Sequence, residues 1–219
     1  MIGTKQSHEE IASSSRSGIP RNDETKMKTV IIKYNAGNVQ SVLFALERIG
    51  VKGILSDNPQ EIISADKVIF PGVGEASSAM KFLKEKKLDD VIKNLKQQLL
   101  GICLGMQLLC QHSEEGNIQC LGIFDFHVKK FEGELKIPQI GWNTIQNLSG
   151  KLFEKIKENE FMYFVHGYYV EKGNDTIAST KYILEYSSAL QKKNFYGVQF
   201  HPEKSSHAGQ KILENFLKL

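Results

Sequence analysis

The sequence predicts an α/β protein: a mostly parallel open sheet flanked by helices, with antiparallel strands added in the second half. Three observations carry this prediction. Through the first half, short apolar runs alternate with segments whose apolar residues recur at helical spacing, the pattern of strand–helix–strand crossovers in a sheet covered on both faces. From Phe124 onward, strand-like runs joined by turns replace that alternation. The 219 residues, 41% of them hydrophobic, suffice for one sizeable core.

Residues 1–26, MIGTKQSHEEIASSSRSGIPRNDETK, are polar, serine-rich and aperiodic. They read as an expression tag or disordered leader, and residues 27–219 as the domain. Thr29 to Tyr34 is an apolar run that fits a buried strand, and Asn38 to Ile49 carries apolar residues at helical spacing before Gly50. Gly53 to Leu55 reads as a short strand, Pro59 to Ala65 as a short helix, and Lys67 to Phe70 as a third strand running into Pro71-Gly72-Val73-Gly74. One long helical region is expected from Ala76 to Gln98, leading into a strand over Leu99 to Ile102. Later strands are expected over Phe124 to Glu132, Ile140 to Gln146 and Phe161 to Val170. A closing helix from His207 would dock through Ile212, Leu213, Phe216 and Leu217.

Composition excludes several classes of function. The formal charge of +3 is small, and the lysines are scattered along helical stretches such as Lys81 to Lys96, so they read as a solvated face and no nucleic-acid partner is expected. No apolar stretch approaches the ~20 residues that span a bilayer, so no membrane role is expected. Three cysteines, an odd number without a secretory signal, predict reduced thiols and a cytoplasmic setting. Cys103, Cys110, His112 and Cys120 lack the paired close spacings of zinc ligands, so no metal is expected.

Gly101-Ile102-Cys103-Leu104-Gly105 has the spacing of a nucleophile elbow, a strained strand-to-helix turn that projects its central side chain. The following helix start would stabilise a thiolate there. The plainer reading is a small buried cysteine. A nucleophile needs a base held by a third group, and Tyr196 to Glu203 supplies one: a strand-like run ending in His201-Pro202-Glu203. Proline ends the strand and leaves the imidazole of His201 at its rim, where Glu203 can hold the second ring nitrogen. A surface His-Pro turn is the competing reading. The glycines past the strand ending at Phe70 let backbone N–H groups approach a ligand, and one of them with that of Leu104 could bind an oxyanion.

The cysteine elbow, the proline-glycine turn and the His-Pro-Glu ending, in this order, resemble the class I glutamine amidotransferases, whose triad is Cys, His and Glu and whose sheet is flavodoxin-like. Pro71-Gly72-Val73-Gly74, the elbow, Ile137-Pro138-Gln139-Ile140-Gly141-Trp142-Asn143 and Phe164-Val165-His166-Gly167-Tyr168-Tyr169 are similar, more narrowly, to the glutaminase subunits of imidazole glycerol phosphate synthases. That resemblance implies hydrolysis of L-glutamine to glutamate and ammonia with no cofactor. The ammonia would be channelled to a (β/α)8-barrel cyclase subunit, in a heterodimer that makes imidazole glycerol phosphate and aminoimidazole carboxamide ribotide in histidine biosynthesis.

It further implies catalysis by Cys103, His201 and Glu203 and an oxyanion hole from Gly72, Val73 and Leu104. Glutamine would be bound by Gly74, Gln107, Glu115, Gly167 and Tyr168, and the partner would be met at Gln139 and Trp142. For Glu115 a solvated loop acid, and for Trp142 an ordinary core position, are the alternatives. In this resemblance the Gly72-Val73 peptide turns its carbonyl inward at rest. Two positions depart from the family pattern: Gln139 stands where histidine is common, and Gly167 where serine is. Competing functions are a glutaminase for another synthase, serving surface-sugar amidination or pyridoxal phosphate synthesis, and a catalytically silent regulatory module.

Overall fold

The computed structural model describes residues 27–34 and 39–219, so the expected leader lies outside the described residues. The first half is built as the alternation predicts. Strand β1 (Thr29–Ile32) is followed by α1 (Val39–Arg48), β2 (Gly53–Ser56), α2 (Pro59–Ile63) and β3 (Lys67–Phe70). Asn58 caps α2: its side-chain oxygen accepts the N–H groups of Gln60 and Glu61, and Pro59 at the first helical position needs no acceptor of its own. Then come α3 (Ala76–Glu85), α4 (Leu88–Lys93), β4 (Gln98–Ile102) and α5 (Leu104–Leu109).

The single helix expected over residues 76–98 is therefore two. Lys87 takes a left-handed conformation, φ 55°, which ends one helix and starts the next in a new direction. Gln98 already belongs to β4.

The second half contributes β5 (His112–Ser113), β6 (Ile118–Gln119), β7 (His127–Lys130), β8 (Gln139–Ile145), β9 (Glu160–His166), β10 (Tyr168–Val170), β11 (Thr176–Lys181), β12 (Glu185–Lys192), β13 (Phe195–Val198) and the closing helix α6 (Ser206–Lys218). The main sheet runs β2-β1-β3-β4-β13-β12-β10-β7-β5-β6, with β11 paired to β12. From β2 to β13 every pairing is parallel; beyond β13 the pairings are antiparallel apart from β5 with β7. The antiparallel strands thus extend one side of a parallel sheet, as expected.

The run expected as one strand over residues 161–170 is broken at Gly167. β9 pairs with β8 in a separate two-stranded ribbon, whereas β10 joins the main sheet.

Strand residues alternate between two cores. Val30, Ile32, Val68, Phe70 and Leu99 face α2 to α5 through Ile62, Met80, Leu83, Ile92 and Met106. Ile31, Ile69, Leu100 and Ile102 face the other side, where α1, α6 and the inner face of the ribbon close over them with Val42, Leu46, Ile212, Phe216, Met162 and Phe164. β1, β3 and β13 are buried at every position, and Val30 to Ile32 and Val68 to Phe70 form continuous apolar runs. Among the described residues no helix is long and apolar enough to cross a membrane.

Candidate active site

β3, β4 and β13 lie side by side and parallel, with Phe70 opposite Gly101 and Val198 opposite Ile102. Their carboxyl ends therefore deliver three segments to one place: the Pro71–Gly74 turn, Cys103, and the stretch ending in His201. Ligands of open α/β sheets bind at that edge.

Cys103 sits between β4 and α5 with φ 52° and ψ −109°, a conformation a non-glycine residue rarely adopts. Its backbone N–H donates to the carbonyl of Val198 at 2.7 Å, which ties the elbow to the neighbouring strand. The flanking glycines are required by close approach. A Cβ on Gly105 would stand 2.0 Å from the carbonyl oxygen of Phe70, and one on Gly101 would stand 2.8 Å from the backbone nitrogen of Met106. Gly72 is held the same way, since its Cβ would fall 2.3 Å from the nitrogen of Gly105. The turn after β3 thus packs directly on the elbow.

Pro202 opens a short 3-10 turn over Pro202–Lys204, which carries Glu203 back beneath His201. His201 Nδ1 lies 2.8 Å from Glu203 Oε1, with both side chains buried. A carboxylate can only accept, so Nδ1 carries the proton and the other ring nitrogen is left for the hydrogen bond with Cys103. Burial by itself would lower the His201 pKa. The charge and hydrogen bond of Cys103, with those of Glu203, outweigh it and raise the value to about 10.

These groups open on a cavity of about 460 Å³. Of the residues expected at the site, Val73, Gly74, Cys103, Leu104, Gln107, Glu115, Gly167, Tyr168 and His201 line it. Gly72 and Glu203 border a small void behind it, together with Val73 and His201. Gln107 is largely inside the protein. Its Nε2 donates to the Tyr168 carbonyl at 3.2 Å and to Gln199 Oε1 at 2.9 Å, which leaves its Oε1 to meet a ligand. Glu115 does more than a solvated loop acid would: its Oε2 accepts the N–H of Ala76, the first residue of α3, at 3.0 Å. Burial raises its pKa, the Ala76 N–H opposes that, and Glu75 adds to it. At Gly167 a Cβ would meet only Ile137 and Pro138 at 3.8 Å, so the family's serine fits here without strain.

The two residues expected at a partner surface separate. Trp142 is on the outer face of the ribbon, 53% exposed, with its ring edge-on to Tyr163, so it is no core tryptophan. Gln139 is 3% exposed, which corrects the expectation that its side chain lies at the surface. It opposes His166 in the β8–β9 pairing, and paired residues share a face, here the inner one. The hydroxyl of Tyr186 lies 3.0 Å from the Gln139 side-chain amide and 3.1 Å from His166 Nε2.

Several groups at the site have roles that depend on distant contacts and were not foreseen. The ring of His166 donates from Nδ1 to the Tyr168 carbonyl at 2.7 Å; burial lowers its pKa to about 4, and the ring is neutral. Tyr34, just after β1, donates its buried hydroxyl to the Pro71 carbonyl at 2.5 Å. Gln199 Nε2 reaches Cys103 Sγ at 3.6 Å. Only Gln199 had an available signal: two residues before His201 in an extended stretch, it points to the same side.

The chain is 55% identical over 196 residues to imidazole glycerol phosphate synthase subunit HisH of Bacteroides fragilis, which covers 88% of this chain and all of that protein. It is 47% identical over 203 residues to the subunit of the same name from Vibrio parahaemolyticus, covering 89% of this chain and again all of that protein. A crystal structure of a glutamine amidotransferase from Thermotoga maritima shares the fold, with a TM-score of 0.61 at 18% identity over 88% of this chain and 83% of that one. Residues 30–219 match the class-I glutamine amidotransferases, and the chain is an enzyme belonging to that family.

Proposed function

We propose that this chain is the glutaminase subunit of an imidazole glycerol phosphate synthase, with Cys103 as nucleophile, His201 as proton carrier and Glu203 as the group that orients the ring. One observation carries the reading: Cys103 and His201 meet at one cavity, with Glu203 paired to His201 behind it, at the carboxyl ends of adjacent parallel strands.

The Cys103 thiolate attacks the side-chain amide carbon of glutamine, and the carbonyl oxygen becomes an oxyanion bound by N–H groups at Leu104 and in the Gly72–Val73 segment. The intermediate collapses to a thioester as the C–N bond breaks and the imidazolium of His201 gives its proton to the leaving ammonia. Water then attacks the thioester, with the now neutral imidazole accepting its proton, and glutamate leaves as the thiolate is restored. The free Oε1 of Gln107 suits the α-ammonium of the substrate, and Gly74, Gly167 and Tyr168 close around its backbone end.

The ammonia would pass to a (β/α)8-barrel cyclase docked on the outer face of the ribbon. That face carries Ile140, Trp142 and Phe161, all more than half exposed, and it reaches the cavity wall at Val165. An exposed apolar patch continuous with a reaction cavity is what a channelling interface requires. The heterodimer would make imidazole glycerol phosphate in histidine biosynthesis.

Cys103→Ala is the direct test. Glutamine hydrolysis should fall by on the order of 10⁶, as when a catalytic nucleophile is deleted elsewhere. Synthesis driven by added ammonia should continue in the complex with the cyclase. Glutaminase activity surviving in the variant would refute the assignment.

A further inference from the structure

Gln199 is fully buried between β13 and His201, and its backbone N–H donates to the Ser188 carbonyl at 2.9 Å. Its amide orientation follows from its neighbours. The Tyr168 carbonyl can only accept, so the Gln107 atom 3.2 Å away is Nε2. That Nε2 also lies 2.9 Å from Gln199, which must therefore present Oε1 to it. The remaining end of the Gln199 amide, Nε2, is the one facing Cys103 Sγ at 3.6 Å. No freedom to turn the amide over remains. On its other side the sulfur lies 3.7 Å from the Val165 carbonyl, which a thiol can donate to but a thiolate is repelled by.

We infer that Gln199 is a positioning residue for the nucleophile: its amide N–H holds the Cys103 thiolate against the pull of the thiol towards Val165, and its carbonyl ties that orientation to Gln107 in the glutamine cavity. This deepens the proposed function and rests on Cys103 being the nucleophile. A charge-assisted N–H···S contact favours the thiolate in the way a donor to a carboxylate favours its ionised form. The link through Gln107 means that a substrate held at its Oε1 meets a sulfur already aimed.

The pH dependence of Cys103 alkylation by iodoacetamide tests this in the full chain, because it reads the thiolate without turnover. Labelling is followed at the Cys103 peptide by mass spectrometry, which separates it from Cys110 and Cys120. Gln199→Met keeps the length of the side chain and removes the N–H donor. Gln199→Glu keeps the shape and turns an acceptor oxygen to the sulfur.

The other titratable groups around the sulfur remain in both variants: His201 with Glu203 behind it, Tyr34 after β1, Tyr186 on β12 and His166 on β9, with Glu115, Lys130 and Lys204 further round the cavity. We expect the alkylation midpoint to rise in Gln199→Met, with reactivity below it reduced roughly tenfold, the effect of losing one hydrogen bond to a charged group. The rise should be larger in Gln199→Glu, and kcat should fall more than KM changes. An unmoved midpoint in either folded variant overturns the inference, since a merely structural role would not shift it. If Cys103→Ala is inactive and the Gln199 midpoints do not move, only the role of Gln199 falls; if Cys103→Ala stays active, the nucleophile assignment falls with it.

Discussion

At the scale of single residues, the His201–Glu203 pair sets the pH behaviour. If His201 acts as proposed, holding the thiolate as an imidazolium and then protonating ammonia, activity should persist through neutral pH and fall as the pH rises towards about 10. Stability follows the same sign. The His201 value is raised from 6.5, so the pairing contributes fully below that pH and is lost as the pH climbs through about 10. Glu203→Gln removes one of the charges that sustain the cation. The alkaline limb of kcat/KM should then move to lower pH, with kcat near neutrality falling by about 10²–10⁴, the usual worth of general acid–base catalysis. A pH profile of the variant with its alkaline limb unmoved would show that Glu203 does not act on the ring.

At the scale of elements, the parallel half was legible because strands buried on both faces must be apolar throughout, and Val30 to Ile32 and Val68 to Phe70 announce themselves. β11 and β12 were not legible. Their buried positions include Ser179, Thr180 and Ser187, whose burial is permitted by partners elsewhere in the chain: Ser187 donates to the Glu171 carbonyl and Thr180 to that of Thr144. The break at Lys87 is marked by no glycine or proline, and Gly167 sits inside a strand-like run whose two halves go to different sheets. The positions of Cys103, His201 and Glu203 and the glycine turn could be read from spacing, whereas Gln199 and Tyr34 reach the site through contacts 96 and 37 residues away. The β8–β9 ribbon yields its own prediction. Trp142 is half exposed, so Trp142→Ala should change stability by no more than about 0.5 kcal/mol. If this is the cyclase face, the same change should weaken the complex by about 2 kcal/mol or more, roughly thirtyfold in Kd, as loss of an aromatic anchor does. Thermal melts and titration with the cyclase read the two effects separately, and an unaltered Kd would move the interface away from the ribbon.

At the scale of the whole molecule, the turn after β3 links the elbow to the rest of the fold through one fixed end and one free end. Tyr34 holds the Pro71 carbonyl, and Gly72 is pressed against the backbone of Gly105 with no room for a Cβ. Gly72 is therefore explained by close packing on the elbow. Beyond it the constraint ends. Val73 borders the cavity, and Gly74 is exposed with φ 121° and nothing near a Cβ position. A peptide between an anchored residue and a free one can turn about its ends without disturbing the core. We therefore propose that the Gly72–Val73 peptide is the element that a partner biases between carbonyl-inward and N–H-inward states. An inward carbonyl would repel the forming oxyanion, and the absence of one donor costs on the order of 10²–10³ in rate. The isolated chain should accordingly be a poor glutaminase. Addition of the cyclase, and then of its nucleotide ligand, should raise kcat by up to that factor, limited by how much better the bound partner fits the N–H-inward state. Steady-state glutaminase assays in that sequence of additions decide it: full activity in the chain alone would show that the oxyanion hole is already formed, leaving the roles of Cys103, His201 and Glu203 untouched.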